Sequence, residues 1–261
     1  MNLDLRGKRA VVGGSTQGIG KAAAIELALL GATVTLLARN EEVLKSTVKE
    51  LPVPYLQTHN YLVADFNFPD QVRTAIQQFV INNPVHILIN NTGGPPAGLA
   101  IEAKIEEFLS AFTSHLICNQ VLVQAVVPGM KQSGYGRIIN VISTSVKVPL
   151  RGLGVSNTIR GAVANWSKTL SVELGAFGIT VNNVLPGTTM TGRLDALIKS
   201  KSEKSGKTYE QVKQEMITEV PAGRISEPQE VAAAIAFLAS PAAGYINGIN
   251  VPVDGGRTGS L

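Results

Sequence analysis

The chain has 261 residues, 44% of them hydrophobic and 16% charged, with a formal net charge of +4. That apolar share supplies a large core and excludes a disordered chain. One cysteine, Cys118, excludes a disulfide framework or thiolate metal cluster, and the positive charge is too scattered for the basic stripe of a nucleic-acid protein.

In chain order, residues 9–12 read as a buried strand and 18–30 as a helix stopped by Gly31, a C-terminal cap. A strand over 33–38, a helix over 41–51 and a strand over 61–63 follow. Pro69 suits the first turn of the next helix. Residues 86–89 form a fourth strand, 105–130 a long apolar helix, 137–142 a fifth strand, 156–175 a helix and 179–185 a sixth strand. A helix over 227–239 and a short strand over 250–253 end the pattern. The strands are continuous apolar runs separated by helices. The reading is therefore α/β, with a parallel sheet buried on both faces. Residues 1–261 are taken as a single domain. Residues 188–226, polar, basic and long for a connection, are a candidate lid, with Thr208-Tyr209-Glu210-Gln211 resembling a capped helix start. No run of 18 apolar residues appears, and Met1-Asn2-Leu3-Asp4 lacks a basic-then-apolar signal pattern. No membrane span is expected, and a cytoplasmic location is the default.

The strongest motif follows the first strand: Gly13-Gly14-Ser15-Thr16-Gln17-Gly18-Ile19-Gly20, running straight into an alanine-rich helix. A tight turn there needs residues that tolerate positive φ. Backbone must approach a diphosphate where a Cβ would collide, and the first helical amides hold the anion. Gly14, Ser15, Thr16, Gln17, Gly18, Ile19 and Gly20 are therefore candidate cofactor residues. At the end of the second strand, where a carboxylate would read a ribose 2′-hydroxyl, stand Ala38-Arg39-Asn40. A guanidinium suits a 2′-phosphate, so NADP is expected, held in part by Arg39 and Asn40.

From the glycine turn to the tail, the chain resembles the short-chain dehydrogenase/reductase family, in particular its 3-oxoacyl-thioester reductases. Gly14-x-x-x-Gly18-x-Gly20 matches the family turn, with Gly13 in place of threonine. Asn90-Asn91-Thr92-Gly93 matches its N-N-A-G strand end, with Thr92 for alanine. Asp65 matches an acidic residue near the adenine, and Pro186-Gly187 with Thr191 matches the loop that holds the nicotinamide carboxamide. The resemblance implies a Rossmann-type, doubly wound, parallel seven-stranded sheet with helices on both faces. It adds Asp65, Phe66, Asn91, Thr92, Gly93, Pro186, Gly187 and Thr191 to the expected cofactor contacts.

The family's catalytic residues are Asn, Ser, Tyr and Lys. Here they fall on His115, Ser143, Ser156 and Arg160, and no tyrosine lies between Ser143 and the sixth strand. Arg160 keeps a positive charge able to hold ribose hydroxyls, but its pKa of roughly 12.5–13.8 makes it a poor acid beside a tyrosine at about 10. Three readings follow. One is an NADP-dependent reductase of a carbonyl or alcohol, with His115, at an ordinary pKa of roughly 6.5, feeding protons through water to Ser143 or Ser156, or with a lid residue such as Tyr209 swinging in. The second is a non-redox lyase using Ser143, Ser156 and Arg160 as an oxyanion pocket. The third is a nucleotide-binding pseudoenzyme. The first is favoured because the nucleotide motifs are intact. The lid residues Arg193, Lys199 and Lys201 hint at an anionic substrate. Leu109, Phe112, Leu116, Val123, Trp166 and Leu170 exceed what one buried helix stripe needs, so a homo-oligomer is expected, by resemblance a tetramer.

Overall fold

The computed structural model describes residues 1–260. The strands are β1 (Arg9–Gly13), β2 (Thr33–Ala38), β3 (Asn60–Val63), β4 (Ile87–Asn90), β5 (Gly136–Val141), β6 (Ile179–Pro186) and β7 (Asn250–Val253). The helices are α1 (Gly18–Leu29), α2 (Glu41–Glu50), α3 (Pro69–Val80), α4 (Ile105–Phe112), α5 (Cys118–Ser133), α6 (Gly154–Leu174), α7 (Gly192–Ser205), α8 (Tyr209–Thr218) and α9 (Pro228–Ala239). All seven strands pair in parallel in the order β3-β2-β1-β4-β5-β6-β7, the doubly wound sheet expected from the sequence. The winding reverses between β1 and β4. Connections leaving their carboxyl ends therefore diverge and open a crevice at that point.

The pleat sends alternate residues to opposite layers. Val12, Leu36, Ile89 and Ile139 pack with α1, α2 and α9, while Val11, Leu37, Leu88 and Ile138 pack with α3, α5 and the end of α6. Covering both faces is what makes the inner strands read as mainly apolar runs. Along α1 the buried positions include Ala22, Ala23, Ala24 and Ala28. Their short side chains let the helix lie close to the sheet and to α9, and they favour helix at no rotamer cost.

Two expectations are refined. The predicted 105–130 helix is α4 and α5 joined by a π-helical turn, Thr113–Ile117. An inserted residue of this kind leaves the apolar period on either side intact, so periodicity alone does not reveal it. The passage Ile105–Ser133 is long and apolar enough, by length and composition, to cross a membrane. Here Val121, Leu122, Val126 and Met130 pack into the core beneath the sheet. The 188–226 segment is not an irregular loop. It holds α7 and α8, packed on each other through Leu194, Ile198, Val212 and Ile225. Thr208 and Gln211 close a reciprocal cap at the start of α8, and the two stems join, Met190 N donating to Ser226 O (2.8 Å) and Ser226 N to Thr188 O (3.0 Å).

A row of asparagines crosses half the sheet. Asn90 Nδ2 donates to Asn140 Oδ1 (2.8 Å), Asn140 Nδ2 to Asn183 Oδ1 (3.0 Å) and Asn183 Nδ2 to Asn250 Oδ1 (2.8 Å). Each pair is in direct register across β4, β5, β6 and β7. Asn140 also donates to Ser167 Oγ of α6 (3.2 Å).

Candidate active site

A cleft of about 1200 Å³ opens over the carboxyl ends of the strands, between the glycine turn and α7. In its nucleotide half, Gly14 and Gly18 have φ of 55° and 54°, where a side chain would be strained. A Cβ on Gly14 would stand 2.7 Å from the Asn91 carbonyl oxygen, and one on Gly20 only 2.3 Å from that of Gly14. Asn91 Nδ2 donates to the carbonyls of Gly13 (3.1 Å) and Gly14 (3.2 Å), clipping the turn to the end of β4. No side chain caps α1, so its first amides are available to an anion, and Gly14, Thr16, Gln17, Gly18 and Ile19 line the cleft. This turn, its glycines packed too closely for side chains and its helix amides uncapped toward the cleft, fits a dinucleotide diphosphate.

Three of the expected residues do not line the cleft. Ser15 is fully buried and its Oγ accepts from Leu37 N (3.1 Å), fastening the turn to β2. Asn40 caps α2 by accepting from Val43 N (3.1 Å), and does not line the cleft. Gly20 is buried where α1 presses on the turn, so its role is close packing. Arg39, Asp65, Phe66, Asn91, Thr92, Gly93, Pro186, Gly187 and Thr191 do line the cleft. Arg39 is exposed, its guanidinium 3.9 Å from Asp65. Thr191 caps α7 by accepting from Leu194 N (3.3 Å). Its methyl lies 3.2 Å from where a Cβ on Gly18 would stand, so α7 begins against the glycine turn.

In the other half, Ser143, Ser156 and Arg160 line the cleft, whereas His115 stands behind it. The π turn carries His115 inward to 2% exposure. Its Nδ1 is hydrogen-bonded with Thr92 Oγ1 and its Nε2 has no partner. Burial, reinforced by the charges of Arg160 and Arg193, pushes its pKa down to about 2. The ordinary imidazole pKa assumed for a proton relay is therefore corrected: this ring is neutral at physiological pH. Ser143 Oγ accepts from Ser145 N (3.1 Å), and Ser156, 7% exposed, sits one helical turn before Arg160 on α6. Arg160 is 8% exposed, and its Nη1 donates to Val141 O (2.9 Å). Among the described residues no carboxylate pairs with it. Burial, with the charge of Arg193, brings its pKa down to about 10. Tyr209 is tied to Asp195 (3.0 Å) and is outside the cleft lining.

Residues that the motifs did not mark also reach the site. Arg193, in the first turn of α7, donates to the carbonyls of Gly94 and Pro95, the latter at 2.8 Å, and so ties α7 to the loop after β4. Arg151 also lines the cleft, and an ion pair of Glu219 with Arg257 forms part of the lining. The pair unites the end of α8 with the tail after β7, which only the folded chain brings together. The remaining histidines complete strand starts: His59 Nδ1 accepts from Val34 N and His86 Nδ1 from Arg9 N, each at 3.1 Å.

Residues 14–258 match the family model described as enoyl-(acyl carrier protein) reductase. The chain is 34% identical over 254 residues to the 3-oxoacyl-(acyl-carrier-protein) reductase FabG of Haemophilus influenzae, covering 97% of this chain and 98% of that protein. Two solved structures are also similar. The L-sorbose reductase from Gluconobacter frateurii complexed with NADPH and L-sorbose aligns with a TM-score of 0.94 and 29% identity, over 100% of both chains. A gluconate 5-dehydrogenase from Burkholderia cenocepacia in complex with NADP and tartrate aligns with a TM-score of 0.89 and 27% identity, over 100% of this chain and 98% of that one. The chain belongs to the short-chain dehydrogenase/reductase family.

Proposed function

We propose that this protein is an NADP(H)-dependent oxidoreductase that reduces a carbonyl group, with Ser156 and Arg160 in place of a tyrosine–lysine pair beside Ser143. The observation that carries the reading is the closed-packed glycine cradle beside the exposed Arg39, with no carboxylate at the end of β2 to claim a ribose hydroxyl. Relatives with the same fold bind NADPH or NADP. NADPH, when bound, supplies a hydride to the carbonyl carbon. The hydroxyls of Ser143 and Ser156 hydrogen-bond the carbonyl oxygen, and the Arg160 cation, poorly solvated in the cleft floor, stabilises the negative charge that develops there. The proton comes from cleft water. Neutral His115 holds Thr92 in place and shuttles no charge.

Titration of NADPH and NADH by fluorescence tests the cofactor assignment: NADPH should bind at least tenfold more tightly. No binding of either would sink it. Turnover of a panel of keto acids, ketoses and 3-oxoacyl thioesters, followed against pH, should show no inflection from His115 between about pH 5.5 and 8. We further propose that α7 and α8 act as a lid, that the protein is cytoplasmic, and that it is a homo-oligomer, a tetramer. Ile105, Leu109 and Phe112 leave an apolar face exposed along α4, whereas Val123, expected on that outer face, is in the core. Light scattering of Leu109→Glu should give a smaller species than the parent protein.

A further inference from the structure

The substrate half of the cleft holds positive charge without compensation. Arg160 lies in the floor, more than nine-tenths buried, with one backbone hydrogen bond and no carboxylate partner among the described residues. A buried cation is ordinarily paired, because leaving one alone is costly. Arg193 reaches over from α7, and both its hydrogen bonds go to neutral carbonyls, leaving N–H donors free. It also stands in the first turn of a helix, where a cation is disfavoured. His115, 2% exposed and with its Nε2 lacking a partner, lies within the same field. The acids that line the cleft are placed elsewhere: Asp65 lies by Arg39 in the nucleotide half, and Glu219 is taken by Arg257. Lys201 and Lys204 add charge at the mouth and join no ion pair among the described residues.

We propose that the substrate is a short oxo acid, its carboxylate held between Arg193 and Arg160. This deepens the reductase reading and rests on it. With a carboxylate one or two carbons from the carbonyl, one cluster serves both groups: Arg193 and the outer donors of Arg160 take the carboxylate, while Ser143, Ser156 and the Arg160 charge take the carbonyl oxygen. The anion supplies the missing countercharge, and the spare guanidinium donors give it geometry. Overall, an oxo acid, NADPH and a proton give a hydroxy acid and NADP.

Isothermal titration of the NADPH-loaded protein with oxamate, a non-reducible keto-acid mimic, and with neutral oxamide tests the assignment without turnover. Oxamate should bind at least tenfold more tightly than oxamide. Arg193→Gln should weaken oxamate at least tenfold, whereas Lys199→Gln, the same charge change on the same helix but outside the cleft, should alter it less than twofold. Circular dichroism melting of both variants checks that they are folded. Equal binding of oxamate and oxamide, or equal effects of the two substitutions, would overturn the proposal. Inorganic phosphate binding more tightly than oxamate through Arg193 would overturn the carboxylate in favour of a phosphorylated substrate. Failure of NADPH itself to bind the parent protein is a separate result, against the cofactor reading.

Discussion

The two halves of the cleft are built by opposite means. The nucleotide half is made of backbone: glycines packed so closely that a methyl group would meet a carbonyl oxygen, with Asn91 as a clip. Its geometry is set before any ligand arrives. The other half is made of charge left without an answer, in Arg160 and Arg193, whose field adds to burial in keeping His115 neutral. Steric closeness stabilises the fold and pre-forms a site together. Uncompensated burial forms a site at the expense of the fold.

That contrast can be broken most forcefully at Gly20. Gly20→Ala puts a Cβ 2.3 Å from the Gly14 carbonyl oxygen, within backbone that has no room to yield. It should cost about 3 kcal/mol or more in urea denaturation and abolish NADPH fluorescence enhancement. In the substrate half, His115→Asn tests the cost of the buried imidazole. The folded pKa of about 2 lies below the unfolded value, so the unfolded chain binds more protons at acid pH. Stability should hold above about pH 6.5 and fall as pH drops below it, approaching a slope of about 1.4 kcal/mol per pH unit. Between pH 7 and pH 5 that is about 2 kcal/mol, and His115→Asn should remove that part of the loss in paired urea titrations. Arg39→Gln should raise the NADPH dissociation constant about tenfold, or ~1.4 kcal/mol, and leave NADH within twofold, since it removes a phosphate contact and no packing. The smallest effect has the opposite sign. Arg160→Met should raise thermal stability by about 1 kcal/mol while abolishing turnover, because an apolar chain of similar length removes a buried unpaired charge. A loss of stability there would mean the cation is compensated after all.

Most of the fold was legible because its causes are local and repeated. Continuous apolar strands, Gly31 as a helix stop and the glycine turn each record one physical requirement in a few adjacent residues. The nucleotide half was legible for the same reason, although the sequence did not show that Ser15 and Asn40 turn away to fasten β2 and cap α2. Those hydroxyl and amide groups suit a ligand and a neighbouring backbone amide equally well. In the other half the sequence names candidate residues but not their state. Position matching placed His115, Ser143, Ser156 and Arg160, yet nothing in the sequence shows that a π turn buries the histidine or that Arg160 lacks a partner. Burial and charge balance are properties of the assembled chain. The same holds for Arg193, whose reach to Gly94 and Pro95 depends on α7 folding over the cleft.

The asparagine row bears on how the sheet finds its alignment. Strands β4 to β7 are drawn from parts of the chain separated by whole helices, and hydrophobicity alone would let Val- and Ile-rich strands slide past one another. Sliding one strand by a single residue would swing its amide to the layer of α1 and α9 and strand its neighbour's. Each orphaned group would cost about 1–3 kcal/mol. The row thus acts as a checksum spanning four strands. It is completed only when Asn250, on the last of these seven strands in chain order, docks, so that strand certifies the alignment of the earlier ones.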